Sequence, residues 1–334
     1  MTLEVLDGGL ASTIQDAGRP DWTHLGVPPG GAADPWSLAV ANLLIGNDPA
    51  AAALEMTLVG ATLLARRSMV IGLAGADLGG RVVRGDAGVG RRLGPGRSHR
   101  IEAGETVAFP GDATDRGARA YLALPDGIDV PTILGSRSTC LAAGFGGLDG
   151  RTLRSGDLLR ATKDDSAVGA QERPERIWPA ETPWDVTNGP TILRVLPGPA
   201  LGLDALVGVA WRVGAESDRV GVRLDGEPLQ DGIGGEVVSH GVTWGAIQVP
   251  PDGRPIVLGP DHQTTGGYPI LGVVIFADRS VLGQLRPGEE VHLQAIDRDE
   301  ALAALRAQRV ALEAAESAMR DALVWDELAR SAGG

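Results

Sequence analysis

The sequence predicts a mainly β protein built from two related barrels, with a short helix in the first and a helix at the C-terminus. Three observations support this prediction. The 334 residues include 49 Gly and 22 Pro but only 4% aromatic residues, a balance typical of many turns and short strands. Short apolar runs bounded by Gly, Pro or Asp recur along the chain, and three segments share one turn motif. The length allows two domains, each with its own core.

The helix of the first domain is predicted from DPWSLAVANLLIGN. Asp34 suits the N-cap position, Pro35 the first turn, and Gly46 the left-handed residue after the last turn. One apolar face runs between these signals, formed by Leu38, Ala41, Leu44 and Ile45.

Five runs with β-branched or apolar character predict strands: MVIGLAG, RAYLAL, TILRVLPG, AIQVPPDGRPIVLG and ILGVVIFAD. Within the fourth, PPDGRP predicts a turn, because Pro251 restricts φ and Gly253 permits a positive φ.

A weak internal repeat joins IEAGETVAF (101–109), LRSGDLLRA (153–161) and LRPGEEVHLQA (285–295). Each has an apolar residue, a Gly–acid turn and then a strand. Such turns are common in β proteins, but the last two each close a block of strands, which favours two related barrels.

These patterns predict four regions: a first barrel domain at 1–165, a linker at 166–189, a second barrel domain at 190–297 and a helical extension at 298–334. The linker prediction rests on the polar stretch 163–190, which has four prolines and in which Trp178 and Trp184 indicate packing against a domain. The extension is rich in helix-forming residues, with Leu305, Leu312 and Met319 one heptad apart.

The net charge of −13 argues against a nucleic-acid partner and against an anionic membrane surface. The 30 basic residues include a single lysine, Lys163, so the chain has no phosphate-binding Gly-Lys-Ser/Thr loop. Lys163 also lacks the Met-Lys-Met setting usual for covalent biotin, so we expect no biotin on this chain. Arginine and backbone N–H groups must bind any anion.

The chain has one cysteine, Cys140, which we expect to be a small buried residue rather than a nucleophile. Its five histidines show no metal-ligand spacing, so we expect no metal site. The N-terminus lacks a secretory signal and no apolar run has membrane-spanning length, so we expect a cytoplasmic protein.

Two polar clusters are candidate site elements in the first domain. The first cluster contains an amide, a carboxylate and a guanidinium, from Gln15, Asp16 and Arg19. An Asp–Arg pair that stabilises a turn would give the same sequence pattern. In GSRSTC, Arg137 and Ser138 fit either an anion cradle or a capped turn.

Two more clusters lie in the second domain. Asp218, Arg219 and Arg223 precede or enter a predicted strand, where the two arginines would share one face and could bind an oxyanion; an exposed arginine stripe is the alternative. Gln248 lies among apolar residues, so its amide is either structural or a ligand contact.

The densest set of donors and acceptors is the loop DHQTTGGYP. Two adjacent glycines let a ligand or another backbone come close. We interpret this loop as functional, and its candidate site residues are Asp261, Gln263, Thr264, Thr265 and Tyr268.

Five blocks of the sequence, read in order, resemble a known family. They are TIQDAGRPDWTHLGVPPGGAADP with ANLLIGN and ALEMTLVG, then GIDVPTILGSRST, VLPGP, SDRVGVRLDG and GAIQVPPDGRPIVLGPDHQTTGGYP. The chain is similar, over about residues 8–296, to the biotin-dependent carboxyltransferase family, also called allophanate hydrolase subunit 2 or KipA-like. Its last block resembles the 5-oxoprolinase branch more than the urea-carboxylase branch.

The resemblance implies two cyclophilin-like β-barrels and two partner chains, one KipI-like and one of the lactam-utilisation type. Together these would hydrolyse 5-oxoproline, a small cyclic amide, to glutamate with ATP, whose site is not expected to lie wholly on this chain. We expect the 261–268 loop at the mouth of the second barrel. We assign catalysis to Arg219, Asp218, Asp261 and Gln263, and substrate binding to Gln15, Asp16, Arg19, Arg137, Ser138, Arg223, Gln248, Thr264, Thr265 and Tyr268.

Two alternatives stay open at this point. The chain could be a carboxyltransferase-like subunit of a urea carboxylase or allophanate hydrolase system. It could instead be a non-catalytic KipA-like antagonist of a KipI-like kinase inhibitor.

Overall fold

Strands dominate the computed structural model, with 32% of the residues in strands and 18% in helices, as the sequence predicted. The structure describes residues 1–83, 90–112, 117–162, 175–179, 190–229 and 235–332. The backbone contacts divide the chain into two units: Met1–Gly18, Pro35–Thr182 and Val310–Gly334 form the first unit, and Arg19–Asp34 and Pro183–Arg309 form the second. Residues 19–34, assigned to the first domain from sequence, therefore group with the second unit. Apart from 175–179, the predicted linker lies outside the described residues.

In the described residues of the first unit, ten strands form two five-stranded antiparallel sheets, in the orders β10-β1-β4-β8-β6 and β2-β3-β9-β5-β7. The strands are β1 (Thr2–Asp7), β2 (Ala11–Gln15), β3 (Ala53–Thr57), β4 (Thr62–Ala65), β5 (Met69–Gly75), β6 (Arg81–Val83), β7 (Arg97–Ile101), β8 (Thr106–Ala108), β9 (Arg119–Ala123) and β10 (Leu158–Arg160). One apolar core includes side chains from both sheets. Because side chains alternate along a strand, Leu54 and Met56 enter this core while Glu55 lies on the opposite face of β3.

The predicted helix of this unit is α1 (Pro35–Leu43), and Gly46 adopts the left-handed φ of 79° expected after its end. The helix packs on β5 and β9. A Cβ atom on Gly72 of β5 would lie 1.9 Å from the carbonyl oxygen of Ala41, so only glycine allows this close approach.

Trp178 is 6% exposed, and its ring meets that of Trp36 edge to face at 6.3 Å between centroids. The predicted packing of Trp178 is therefore confirmed, whereas Trp184 lies outside the described residues. Cys140 is buried, as expected.

The second unit contains a closed seven-stranded barrel in the order β11-β18-β15-β16-β13-β12-β19, and a two-stranded sheet of β14 and β17. The strands are β11 (Thr191–Pro197), β12 (Ala210–Val213), β13 (Gly221–Asp225), β14 (His240–Gly241), β15 (Ala246–Gln248), β16 (Ile256–Leu258), β17 (Thr265–Gly266), β18 (Ile270–Val274) and β19 (Glu290–Ala295). The pair β11–β19 is parallel and the other pairs are antiparallel. Trp211, Ile247 and Val257 are among the fully buried residues of the barrel core.

Short helices complete this unit: α2 (Leu203–Leu206), α3 (Arg279–Gln284) and 3-10 turns at Pro20–Leu25 and Phe276–Asp278. The last helix, α4 (Arg298–Ala332), begins with a capping box in which Asp297 and Glu300 each accept a hydrogen bond from the other's backbone N–H at 2.9 Å. Along it, Ala315 and Met319 are buried, while Leu305 and Leu312 are half-buried.

The three predicted repeat turns share one structure. Gly104, Gly156 and Gly288 have φ of 86°, 90° and 83°. In each turn the carboxylate that follows the glycine accepts a hydrogen bond from the backbone N–H three residues before it, at 2.7–3.1 Å. These carboxylates belong to Glu105, Asp157 and Glu289, and each turn leads into a strand. The repeat is thus a local turn that glycine and an acid specify together.

Candidate functional site

Asp16 clamps the 136–138 loop of the first unit. Its Oδ1 accepts hydrogen bonds from the Ser136 hydroxyl (2.7 Å), the Ser138 hydroxyl (2.5 Å) and the Gly18 backbone N–H (2.8 Å). Its Oδ2 accepts one from the Arg137 backbone N–H at 2.6 Å. Two of the clusters predicted from sequence are therefore adjacent in space. With four donors on one carboxylate, Asp16 positions this loop.

Two side chains beside this clamp keep polar atoms that have no hydrogen-bond partner within the described residues. Gln15 is fully buried and donates from Nε2 to Thr13 Oγ1 (3.0 Å) and to the Thr139 carbonyl (3.3 Å), yet its Oε1 has no donor. Arg137 donates from Nη1 to Thr162 Oγ1 at 3.4 Å, and its buried Nε has no acceptor. These atoms could contact a ligand or a partner.

Arg19 groups with the second unit, whereas Gln15 and Asp16 belong to the first. Its backbone N–H donates to the Pro29 carbonyl at 2.6 Å, and the residue is 2% exposed. The predicted trio of Gln15, Asp16 and Arg19 is thus divided between the two units.

In the second unit, a bidentate ion pair joins Arg219 to Asp261. Arg219 Nε lies 2.7 Å from Asp261 Oδ2 and Arg219 Nη2 lies 3.0 Å from Oδ1, while Nη2 also donates to the Gly31 carbonyl at 2.7 Å. The two side chains are 11% and 6% exposed. Arg219 therefore fixes the start of the 261–268 loop.

The other two polar residues of this segment point elsewhere. Asp218 caps the turn before β13, accepting from the backbone N–H groups of Val220 (2.8 Å) and Gly221 (3.1 Å). Arg223 lies on the exposed face of β13, 3.6 Å from Glu216. The structure thus gives Arg219 and Arg223 different carboxylate partners rather than one shared oxyanion site.

The loop from 261 to 268 starts at one end of the barrel and then crosses its outer wall. Ile247 enters the barrel core, whereas Ala246 packs outside it with Leu258 and Ile270. By strand alternation Gln248 also faces outwards, where its Oε1 accepts from Gln263 Nε2 at 3.2 Å. The whole loop was expected at the barrel mouth. In the structure the Asp261 N–H donates to the Arg219 carbonyl at 3.0 Å, next to the start of β13, whereas Gln263 contacts Gln248 on the outer wall.

Gly266 of this loop leaves space for the Gln248 amide because it has no side chain. A Cβ atom on Gly266 would lie 2.4 Å from Gln248 Nε2, which is buried and has no acceptor. Thr265 and Gly266 pair with Gly241 and His240 in the two-stranded sheet, and the Thr264 carbonyl accepts from the Val242 N–H at 3.1 Å. Thr265 is exposed, and Thr264 and Tyr268 are half-buried.

Sequence reasoning missed a cationic site at the barrel end where β15 begins and β18 ends. The Arg279 guanidinium carbon lies 4.6 Å from the ring centroid of Trp244 and 4.4 Å from that of Phe276. Burial lowers the pKa of Arg279 to about 10. The only sequence signal was an arginine directly after the apolar run ILGVVIFAD.

A second missed feature is the buried Glu55, whose Oε2 accepts from the Tyr121 hydroxyl at 2.7 Å and whose Oε1 lies 3.8 Å from Arg119 Nε. Its sequence signal was a charged residue inside the apolar strand ALEMT.

Within the described ranges, the side chains of His, Cys, Asp and Glu form no group of three or more suited to a metal ion. None of the helices in those ranges has the length and apolar character to cross a membrane.

The two antiparallel sheets and the closed barrel place the chain among mainly β proteins. Residues 25–295 match the family described as carboxyltransferase domain, subdomain A and B, and the chain belongs to this family. The sequence is 36% identical to the C subunit of the 5-oxoprolinase of Escherichia coli, over 92% of this chain and 95% of that protein.

Solved structures agree with this assignment. The structure matches the urea carboxylase of Kluyveromyces lactis with a TM-score of 0.81 and 27% identity, over 94% of this chain and 29% of that one. It matches the protein TTHA0988 with a TM-score of 0.76 and 35% identity, over 88% of this chain. The chain spans about half the length of TTHA0988 (56%). The resemblance predicted from sequence is confirmed: the chain is a carboxyltransferase-like protein whose relatives include subunits of an enzyme complex.

Proposed function

We propose that this chain is the carboxyltransferase-like subunit of an ATP-dependent 5-oxoprolinase. It would act with two partner chains, one KipI-like and one of the lactam-utilisation type, to hydrolyse 5-oxoproline to glutamate. The observation that carries the proposal is the 36% identity over 95% of the E. coli 5-oxoprolinase chain, compared with 29% identity over 18% of the urea amidolyase of Lachancea kluyveri.

The chemistry of the sites supports a role in binding and electrostatic stabilisation. A lactam is a stable amide, so its hydrolysis needs activation, and ATP used by the complex would supply it. The contribution of this chain would be to orient the substrate and to stabilise developing negative charge with arginine and amide donors. Arg137, Gln248 and Arg279 each keep a buried N–H atom with no acceptor, and such donors suit carboxylate or phosphoryl oxygens.

The test is reconstitution. The chain is co-expressed with KipI-like and lactam-utilisation-type subunits from the same genome, and ATP-dependent release of glutamate from 5-oxoproline is measured. The matched control omits this chain. Glutamate release that needs all three chains supports the proposal, whereas full activity without this chain contradicts it.

One observation favours a second candidate, a carboxyltransferase-like subunit that acts in urea carboxylation with carboxybiotin carried on another chain. The structure matches a urea carboxylase over 94% of this chain. The same preparation, supplied with urea, bicarbonate, ATP and a biotinylated carrier, separates the two candidates. Carboxylation of urea in place of 5-oxoproline hydrolysis would favour this second function.

A further inference from the structure

Three arginines lie near one end of the barrel, and two of them have an aspartate partner. Arg219 pairs with Asp261 at 2.7 Å, and Arg194 pairs with Asp278, whose carboxylate also accepts from the Arg194 backbone N–H at 2.8 Å. The third, Arg279, makes no ion pair with any carboxylate in the described part of the chain. In the same described ranges, its guanidinium donates one hydrogen bond, from Nη2 to the Trp244 carbonyl at 3.3 Å.

Aromatic rings hold this guanidinium without using its N–H donors. Trp244 and Phe276 lie 4.6 Å and 4.4 Å from its central carbon, and ring faces attract a cation. Arg279 Nε is buried with no acceptor. Because Phe276 is 53% exposed, this arrangement lies near the surface, where a small molecule could reach it.

Among the residues that the structure describes, the charge of Arg279 therefore has no counterion. Although burial lowers the pKa of Arg279, its value of about 10 keeps the side chain charged at neutral pH. A half-buried cation without an anionic partner is unfavourable, so an oxyanion that supplies the missing acceptors would bind strongly. The planar fork of a guanidinium matches a carboxylate with two parallel hydrogen bonds.

His262 lies at the same end of the barrel as this cation. The Gly245 N–H, next to Trp244, donates to the Leu258 carbonyl at 2.8 Å, and the His262 N–H donates to the Gly259 carbonyl at 3.4 Å.

Burial is the main cause that lowers the pKa of His262, and the charge of Arg279 lowers it further. The ring is therefore neutral at pH 7. Its Nδ1 lies 2.5 Å from the Gln263 carbonyl, which can only accept, so Nδ1 carries the proton and Nε2 carries a lone pair. An amide N–H group would suit that lone pair.

We propose that Arg279 and His262 form a binding site for a small carboxylic acid that also carries an amide N–H. Arg279 binds the carboxylate between Trp244 and Phe276, and His262 Nε2 accepts the amide hydrogen. The identity of the ligand rests on the proposed function, because 5-oxoproline has both groups.

Calorimetric titration of the full chain tests the site without turnover. The wild-type chain is expected to bind 5-oxoproline more tightly than 2-pyrrolidinone, which lacks the carboxylate, and than N-methyl-5-oxoproline, which lacks the N–H. Arg279→Gln is expected to weaken 5-oxoproline binding on the order of 30-fold and to leave 2-pyrrolidinone unchanged. Arg279→Lys retains the charge and should keep part of the affinity. The matched control is Arg212→Gln, which changes an exposed arginine of the same unit and should leave binding unaltered.

His262→Ala is expected to remove the preference for 5-oxoproline over its N-methyl form. Urea denaturation of each variant shows that it is folded. Equal affinity of the wild type and Arg279→Gln for 5-oxoproline would overturn the proposal. It would also be overturned if the wild-type chain bound inorganic phosphate in a way that depends on Arg279 but did not bind 5-oxoproline. Loss of assembly with the other subunits, with small-ligand affinity unchanged, would also overturn it and assign Arg279 to a protein interface.

Reconstituted activity separates this inference from the proposed function. A complex that hydrolyses 5-oxoproline equally well with Arg279→Gln refutes the site and leaves the proposed function standing. A complex inactive on 5-oxoproline refutes the proposed function, and with it the ligand assigned to this site.

Discussion

Arg219 and Asp261 share two parallel hydrogen bonds, at 2.7 Å and 3.0 Å, and their side chains are only 11% and 6% exposed. Substitution Arg219→Ala would leave the Asp261 carboxylate buried without its partner. We expect a loss of about 3 kcal/mol in the free energy of unfolding, measured by urea denaturation. Any loss of activity in this variant would then partly reflect the loop that Asp261 anchors.

A double substitution tests this explanation. Arg219→Ala with Asp261→Ala removes both charges, so it should be more stable than Arg219→Ala alone. Arg223→Ala is the matched control, because Arg223 is half exposed and 3.6 Å from an exposed Glu216; its expected effect is below about 0.5 kcal/mol. A double variant no more stable than the single one would contradict the ion-pair argument.

Gly266 is predicted to be intolerant of a side chain because of Gln248. In Gly266→Ala the new methyl group would lie 2.4 Å from Gln248 Nε2, which is buried and must move. We expect a destabilisation of about 1–3 kcal/mol, measured as a lowered urea midpoint. Gly241→Ala, on the paired strand, is the control because its Cβ would meet no atom within 4 Å. Adding Gln248→Ala should restore much of the lost stability; if it does not, the steric explanation fails.

Asp16 is predicted to order the loop that carries Arg137 and Ser138. In Asp16→Ala, four donors lose their shared acceptor, so the loop should open more often. Hydrogen exchange at the Arg137 amide is expected to accelerate by about 10-fold or more. Asp48→Ala is a matched control, because Asp48 caps only the Ala50 N–H in an exposed turn. Unchanged exchange at Arg137 in Asp16→Ala would contradict the clamp.

Local signals in the sequence predicted much of the fold. Pro35 and Gly46 bracket the first helix because proline and glycine restrict or extend φ regardless of distant contacts. The three glycine–acid turns were recognised for the same reason. Two points depend on pairing between distant segments and could not be predicted: that residues 19–34 group with the second unit, and that Gln248 faces away from the barrel core.

The candidate site was predictable in its residue types more than in its geometry. The pairing of Asp16 with the 136–138 loop spans about 120 positions, and no local pattern specifies it. Arg219 was predicted to bind a ligand, yet its donors contact Asp261 and Gly31. The sequence alone does not specify which carboxylate in the folded chain pairs with a given guanidinium. Arg279 was missed because its two aromatic partners, Trp244 and Phe276, are brought together only when β15 pairs with β18.

The stability of the protein is predicted to fall in mild acid because of two buried histidines. Burial is the main cause that lowers the pKa of His99 and of His262 below the usual 6.5. The unfolded chain therefore takes up protons first, so this stability is complete above about pH 6.5 and is lost as the pH falls towards the folded pKa values. Urea denaturation between about pH 5 and pH 8 measures how steeply the free energy of unfolding changes with pH. This slope should be smaller in His262→Gln and in His99→Gln. The control His24→Gln, at an exposed position, should keep the wild-type slope. A wild-type slope in both buried variants would show that other groups cause the acid sensitivity.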